Sequence, residues 1–96
     1  MNEKLKKYLP IGSVVLLKGA KKKIMITGFC VSSLELPDYT YDYSACLYPE
    51  GMVTSEQTII FNHEQIDIIY AIGYSDDEEK GFKSKLIEEI NKGENV

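Results

Sequence analysis

The fold is decided by the stretch LPIGSVVLLKGAKKKIMITGF, residues 9–29. It contains two short apolar runs joined by a Gly-Ala-Lys-Lys-Lys turn, which is the pattern of a tight β-hairpin. The first run, Ile11–Lys18, is apolar on both faces, as in a strand of a small barrel. Gly28 interrupts the second run, Lys23–Ser32, and indicates a bend or β-bulge there. The stretch therefore predicts a small β-rich domain that opens with this hairpin.

Three further segments have the pattern of strands. Residues 39–48 alternate between two faces, and Pro49-Glu50-Gly51 then marks a turn. One face of that strand carries Tyr39, Tyr41, Tyr43, Ala45 and Leu47. Residues 54–61 and about 66–74 are predicted as the fourth and fifth strands, separated by one helical or 3₁₀ turn at 62–65.

The C-terminal segment has the pattern of an amphipathic helix over about Asp76–Lys92. Ser75 and Glu78 have the spacing of a capping box, with the serine at the N-cap. An apolar stripe consists of Phe82, Leu86 and Ile90, reinforced by Ile87. This stripe is expected to pack against the strands.

The chain is therefore expected to form one mainly β domain of the α+β class. Its strands would make a five-stranded antiparallel sheet or an SH3-like partial barrel, with one C-terminal helix. Within the single domain 1–96, residues 1–8 are expected to form a flexible basic arm, 9–74 the β part and 75–93 the helix. A chain of 96 residues has room for one core and no deep cleft between domains.

Charge is unevenly distributed along the chain. The net charge is −4 and all of the basic side chains are lysines. Residues 1–23 hold seven lysines and one glutamate, whereas residues 24–74 hold seven acids and no lysine. Such segregation orients a charged partner or simply keeps a small protein soluble. The lack of arginine weakens nucleic-acid functions, because bidentate contacts to phosphate and guanine favour the guanidinium group.

The two cysteines predict two free, buried thiols in a reducing cytoplasm, with a disulfide as the alternative. Cys30 and Cys46 lie sixteen positions apart, without the spacing of a metal or redox motif, and the chain has one histidine. No apolar run approaches the roughly 20 residues of a membrane helix. The basic N-terminus also lacks the apolar region of a signal peptide, so a cytoplasmic protein is expected.

Catalytic chemistry has little support in the sequence. His63-Glu64 is the only adjacent acid–base pair, and no serine or cysteine is placed beside it as a nucleophile. We therefore expect no catalytic residues, no metal and no cofactor. Two surfaces are candidates for binding a partner: the lysine turn (Lys21, Lys22, Lys23) and the tyrosine face (Tyr39, Tyr41, Tyr43). Alternatively, the lysines protect a sheet edge and the tyrosine rings fill the core.

Three sequence segments carry a resemblance that covers roughly residues 9–90. They are LPIGSVVLLKGAKKKIMITG, YDYSACLYPEG and IIFNHEQIDIIYAIGY, followed by the acidic helix. The chain resembles a small family of Firmicutes proteins encoded beside LXG-type toxins of the ESAT-6-like type VII secretion system. The resemblance implies a cytoplasmic chaperone or adaptor that binds an LXG-type toxin, with a WXG100-like helical protein as a further member of the complex. The alternatives are an immunity protein that neutralises a toxin, and an SH3-like RNA-binding protein.

Overall fold

The computed structural model describes residues 8–32 and 38–94. Residues 33–37 and most of the predicted basic arm lie outside the described residues. The helix α1 spans Asp77–Glu94, and two 3₁₀ turns span Ser55–Gln57 and His63–Gln65. The strands are β1 (Val14–Leu17), β2 (Ile24–Val31), β3 (Tyr41–Leu47), β4 (Ile59–Phe61) and β5 (Ile66–Ala71).

The five strands form one open antiparallel sheet in the order β4-β3-β2-β1-β5. This architecture confirms the predicted α+β, mainly β fold. Of its two predicted forms, the open sheet is the one observed, since β4 and β5 lie at opposite edges. Edge strands have one side free of strand partners, so β4 and β5 define where the sheet can be extended.

Gly28 sits at the predicted bulge in β2. The register with β3 shifts between Ile26 and Gly28, so the prediction is confirmed. A Cβ at position 28 would lie 2.8 Å from the Ser44 hydroxyl oxygen, which is hydrogen-bonded to Thr27 Oγ1 at 3.1 Å. The absence of a side chain therefore lets the two strands approach closely at the bend.

The core lies between the sheet and α1. Tyr43 and Phe61 stack at the centre with ring centroids 5.1 Å apart, and both rings are fully buried. Tyr8 was expected to belong to the flexible arm. It is instead buried, because its ring packs edge-on against Phe29 at 6.0 Å and also contacts Tyr43. Ile87 of α1 is buried in the same cluster and fixes the helix to the sheet.

The start of α1 differs from the prediction by one residue. Asp76 is the residue whose side chain caps the helix, because its Oδ1 accepts the backbone N–H of Glu79 at 2.9 Å. The Ser75 hydroxyl donates instead to the Glu79 carboxylate at 2.6 Å. The predicted capping box from Ser75 to Glu78 is therefore wrong, since the carboxylate one residue later takes the capping position.

Phe82 does not lie in the inward stripe that the sequence predicted. Its side chain is 53% exposed, and its ring lies tilted beside Phe29 with 6.0 Å between centroids. The positions turned toward the sheet are Glu79, Lys83, Leu86, Ile87 and Ile90. Glu79 and Lys83 can occupy them because they form an ion pair of 3.1 Å along the helix.

The fourth strand is also shorter than predicted. Residues 54–61 were expected to be extended, whereas Ser55–Gln57 form a 3₁₀ turn and only Ile59–Phe61 pair with β3. The N–H of Gln57 donates to Thr54 O at 3.1 Å, which satisfies the backbone locally. The second 3₁₀ turn falls within the predicted segment 62–65 and confirms that prediction.

Candidate protein-binding groove

A buried carboxylate joins three segments at the start of β3. Asp42 is 9% exposed, and its Oδ2 accepts the backbone N–H of His63 at 2.8 Å. Its Oδ1 accepts the hydroxyl of Tyr8 at 3.4 Å, and its own N–H donates to Asn62 Oδ1 at 3.1 Å. Because a buried carboxylate is stable only when it is hydrogen-bonded, these bonds hold the N-terminal segment and the second 3₁₀ turn against the strand.

Tyr43 completes this network from within the core. Its hydroxyl accepts the backbone N–H of Leu9 at 3.1 Å and lies 2.7 Å from Nδ1 of His63. With an unprotonated Nδ1, the Tyr43 hydroxyl is the donor in that second bond. The ring of His63 is thus engaged by a tyrosine, while Glu64 is exposed beside it. The network therefore positions the N-terminal segment and the second 3₁₀ turn around the start of β3.

An open groove of about 740 Å³ lies in front of the network, between the start of β3, the second 3₁₀ turn and the C-terminal half of α1. Its lining combines apolar and aromatic side chains with four carboxylates. The first group consists of Tyr8, Tyr39, Leu86 and Ile90, and the second of Asp38, Asp42, Glu64 and Glu89. Among the described residues, no lysine lines this groove. Its chemistry therefore suits a segment that carries both apolar and positively charged side chains.

Tyr39 is an aromatic side chain at the rim whose position is fixed. It is 48% exposed, yet its hydroxyl accepts a hydrogen bond from Asn62 Nδ2 at 2.8 Å. Its ring also makes an edge contact with Tyr41, with centroids 4.8 Å apart. The backbone N–H of Asn62 donates to Gln65 Oε1 at 2.8 Å, and this bond holds Asn62 in place. A half-exposed ring that is already ordered loses little entropy on binding, which is typical of interface anchors.

The structure separates the two surfaces that the sequence proposed for partner binding. Ile24 pairs with Leu47 at one end of β2 and β3, and Val31 pairs with Tyr41 at the other. The lysine turn precedes Ile24, so it lies roughly 20 Å from the tyrosines along the strands. The turn and the groove are thus two distinct surfaces.

Several of the predicted contact residues already have intramolecular neighbours. Lys22 forms a salt bridge of 2.8 Å with Glu50, and the hydrogen bond from Lys22 lowers the pKa of that exposed carboxyl. The ammonium of Lys23 lies 4.6 Å from the centre of the Tyr70 ring. Lys21 is exposed. Tyr43 is fully buried and belongs to the core, which is the alternative that the sequence had left open.

Burial raises the pKa of both Tyr8 and Tyr43 above the ordinary tyrosine value. At Tyr8 the negative charge of Asp42 adds to the effect of burial. At Tyr43 the hydrogen bond from the backbone of Leu9 opposes it, while Asp42 again raises the pKa. Both hydroxyls therefore keep their protons in the folded state at a pH where tyrosines of the unfolded chain ionise.

The network predicts a loss of stability in alkali. Above a pH of about 10, unfolded tyrosines release protons that the folded protein retains, so the free energy of unfolding falls as pH rises. Each such tyrosine contributes a limiting slope of about 1.4 kcal/mol per pH unit. Urea denaturation at several values between pH 8 and 11 measures this slope. We expect Tyr8→Phe to flatten it, because the substitution removes one of the two buried hydroxyls. Equal slopes for Tyr8→Phe and the unmodified protein would contradict the role given to Tyr8.

Two features are absent from the described part of the chain: a cluster of metal ligands and a membrane-spanning helix. No three His, Cys, Asp or Glu side chains converge there on a common point, although four acids line the groove. No described helix has the length and hydropathy needed to cross a membrane. Both cysteines are free thiols, as predicted. Cys46 is buried, but Cys30 is only partly buried on the groove wall, so the prediction that both thiols are buried is wrong for Cys30.

Sequence reasoning missed most of the groove. It identified Tyr39, but gave no role to Asp42, Asn62 or Glu89. One signal was available for Asp42, which is the single charged residue of β3 and lies between two tyrosines. The helical contribution of Glu89 had no comparable signal, because a charge on an amphipathic helix usually faces solvent.

Residues 8–82 match a family model described as a domain of unknown function, DUF4176. Comparison with curated proteins and with solved structures gave no match. The matched segment includes all five strands and the first residues of α1. Leu86, Glu89 and Ile90, which form the helical wall of the groove, lie beyond it.

Proposed function

We propose that this chain, which belongs to the DUF4176 family, is a non-catalytic protein-binding module that serves as a cytoplasmic chaperone or adaptor. Its client would be an LXG-type toxin exported by type VII secretion, as the resemblance of residues 9–90 implies. The observation that carries the binding role is the groove with Tyr39 held at its rim. An ordered aromatic ring beside apolar and acidic walls is suited to grip a peptide segment of a partner.

The lining defines the chemistry of that segment. Leu86 and Ile90 offer apolar contact on the helical side, and Tyr39 offers an aromatic edge opposite. Glu64 is exposed near the mouth and Glu89 is exposed on α1, so both attract positive charge before contact is made. We therefore propose that the client presents lysine or arginine side chains next to apolar ones.

This chemistry does not favour nucleic acid. Phosphate groups approaching the groove would meet carboxylates, and the chain has no arginine to offset them. An immunity protein could use the same groove, but it would have to block the toxic domain of its target. The two protein-binding functions therefore differ in which part of the toxin is held.

Binding to toxin fragments separates these functions. The protein is co-purified with an LXG-type toxin, using the full toxin, its export segment alone and its catalytic domain alone. We expect the protein to bind the toxin outside its catalytic domain and to leave the toxic activity intact. Capture only by the catalytic domain, with loss of toxic activity, would instead establish the immunity function. Failure to bind any fragment would overturn the proposal.

Substitutions at the groove should weaken this complex selectively. Tyr39→Ala is expected to raise the dissociation constant at least tenfold, whereas Tyr39→Phe keeps the ring and most of the affinity. Glu89→Lys should slow association and reduce its dependence on salt, because it reverses a charge that attracts the client. Surface plasmon resonance at two salt concentrations measures both effects.

Glu56→Lys is the matched control for charge reversal. Glu56 is exposed in the first 3₁₀ turn, just before the end of β4 that pairs with Ala45, and it does not line the groove. It should leave both rate constants nearly unchanged. If Glu56→Lys and Glu89→Lys had equal effects, the attraction would come from net charge and the groove would have no special role.

A further inference from the structure

A second surface, distinct from the groove, follows the edge strand β5. Large apolar side chains are exposed there on both faces of the strand and in the segment after it. They are Ile68, Ile69, Tyr70, Ile72 and Tyr74. Sheet edges are usually protected by lysine, proline or a covering segment. Residues 66–74 contain neither lysine nor proline, and their single charge is that of Asp67.

This edge is already ordered in the single chain. β5 pairs with β1 along its length, from the pair Leu17 and Ile66 at one end to the pair Val14 and Ala71 at the other. Beyond the strand, the N–H of Gly73 donates to the Ser13 hydroxyl at 2.9 Å, which fixes the backbone between Ile72 and Tyr74. The exposed side chains therefore sit on a rigid frame and require no folding step before contact.

We propose that the free protein is a homodimer in which the β5 strands of two copies pair antiparallel across a two-fold axis. Such pairing joins the two five-stranded sheets into one and satisfies the outward-facing backbone groups of both edges. This inference goes beyond the adaptor function and uses a different surface from the groove.

The charges around β5 favour a second copy in that orientation. The lysine turn flanks the beginning of the strand, where the N–H of Lys18 donates to Gln65 O at 2.8 Å. After the strand come the capping residue Asp76 and the first helical acids, Asp77 and Glu78. Antiparallel pairing places the beginning of one strand beside the end of the other, so the lysines of each copy approach the acids of its mate. The attraction occurs twice in the dimer.

The exposed side chains also supply most of the area that such an interface needs. From their exposed fractions, the five side chains present on the order of 600 Å² of apolar surface per copy. A stable interface buries about 800 Å² per partner, and the paired backbones add to the side-chain area. Ile69, 47% exposed beside Val15 in the sheet, lies near the centre of this surface.

Sedimentation equilibrium of the full chain without any toxin tests the dimer. We expect twice the monomer mass at micromolar concentrations and weaker association at high salt. Ile69→Lys and Ile72→Lys should each raise the dimer dissociation constant at least tenfold, because they place a charge in the apolar interface between the two β5 strands. Ile72→Lys lies outside the strand, so it remains informative if Ile69→Lys disturbs folding.

Val53→Lys is the matched control, since Val53 is an exposed apolar residue away from β5. It should leave the dimer mass unchanged. A monomer at all concentrations up to hundreds of micromolar, or a dimer unaffected by both edge variants, would overturn the proposal. The proposal would also be overturned if β5 stayed unpaired in the free protein and paired only with a strand of the toxin. None of these results would alter binding at the groove, so the adaptor function is tested separately.

Discussion

Tyr43→Ala is expected to lower the free energy of unfolding by about 3–5 kcal/mol, the usual cost of removing a large buried aromatic side chain. The ring is fully buried and stacks on Phe61 at 5.1 Å, so alanine leaves a cavity at the centre of the core. The substitution also leaves the N–H of Leu9 without its acceptor. Urea denaturation followed by circular dichroism measures the loss.

Tyr43→Phe separates packing from hydrogen bonding. It keeps the stacked ring but removes the hydroxyl between Leu9 and His63. The expected cost is about 1–3 kcal/mol, because a buried donor loses its partner. Equal costs for Tyr43→Phe and Tyr43→Ala would mean that the hydroxyl network, rather than the ring, supplies the stability. A cost below about 1 kcal/mol for Tyr43→Ala would contradict the central position of the ring.

Gly73→Ala is expected to cost about 2–3 kcal/mol, because overpacking against a rigid backbone forces a shift of the chain. A Cβ at this position would overlap the carbonyl oxygen of Ile11 and lie 3.0 Å from the backbone nitrogen of Ser13. Neither group can move without disturbing the start of β1. The hydrogen bond from Gly73 to the Ser13 hydroxyl would be strained by the same shift.

Gly81→Ala is a control that should change the free energy of unfolding in the opposite direction. Gly81 lies within α1 and has open space around the position of a Cβ. Alanine should therefore raise stability by about 0.5–1 kcal/mol through helix propensity alone. Equal and small effects at positions 73 and 81 would show that the segment after β5 is not packed against Ile11 as described.

Features that depend on neighbouring residues were predictable from the sequence. The hairpin of residues 9–29, the bulge at Gly28 and the 3₁₀ turn at 62–65 all follow from local patterns, and each is present in the structure. The choice between an open sheet and a barrel was not predictable. It depends on whether β4 and β5 meet, and in the structure these strands lie at opposite edges of the sheet.

The groove depends still more on distant contacts. Tyr8 and Asp42 are 34 positions apart, and Tyr43 and His63 are 20 apart. Alternation in β3 could assign faces to its tyrosines, but could not show that Tyr43 is sealed beneath Phe61 while Tyr39 remains at the rim. The exposure of Phe82 was missed for a related reason, because helical periodicity does not specify which part of an apolar stripe the sheet covers.

The two proposals give different roles to the groove at the start of β3 and to the lysine turn before β2. The acidic groove at the start of β3 would receive the client, while the lysine turn would contribute to pairing between copies along β5. Both roles follow from the separation of positive and negative charge that is visible along the sequence. A client bound in the groove leaves β5 accessible, so a dimer could carry two clients.

Export of the toxin tests the adaptor role of the groove most directly. The gene is deleted from a strain that secretes the toxin and is then restored as the unmodified form, Tyr39→Ala or Glu56→Lys, at equal cellular levels. We predict that secreted toxin falls on deletion and returns with the unmodified form and with Glu56→Lys, but not with Tyr39→Ala. Full export with Tyr39→Ala would contradict the role of the groove. Normal export from the deletion strain, together with sensitivity of that strain to the toxin, would contradict the adaptor function itself.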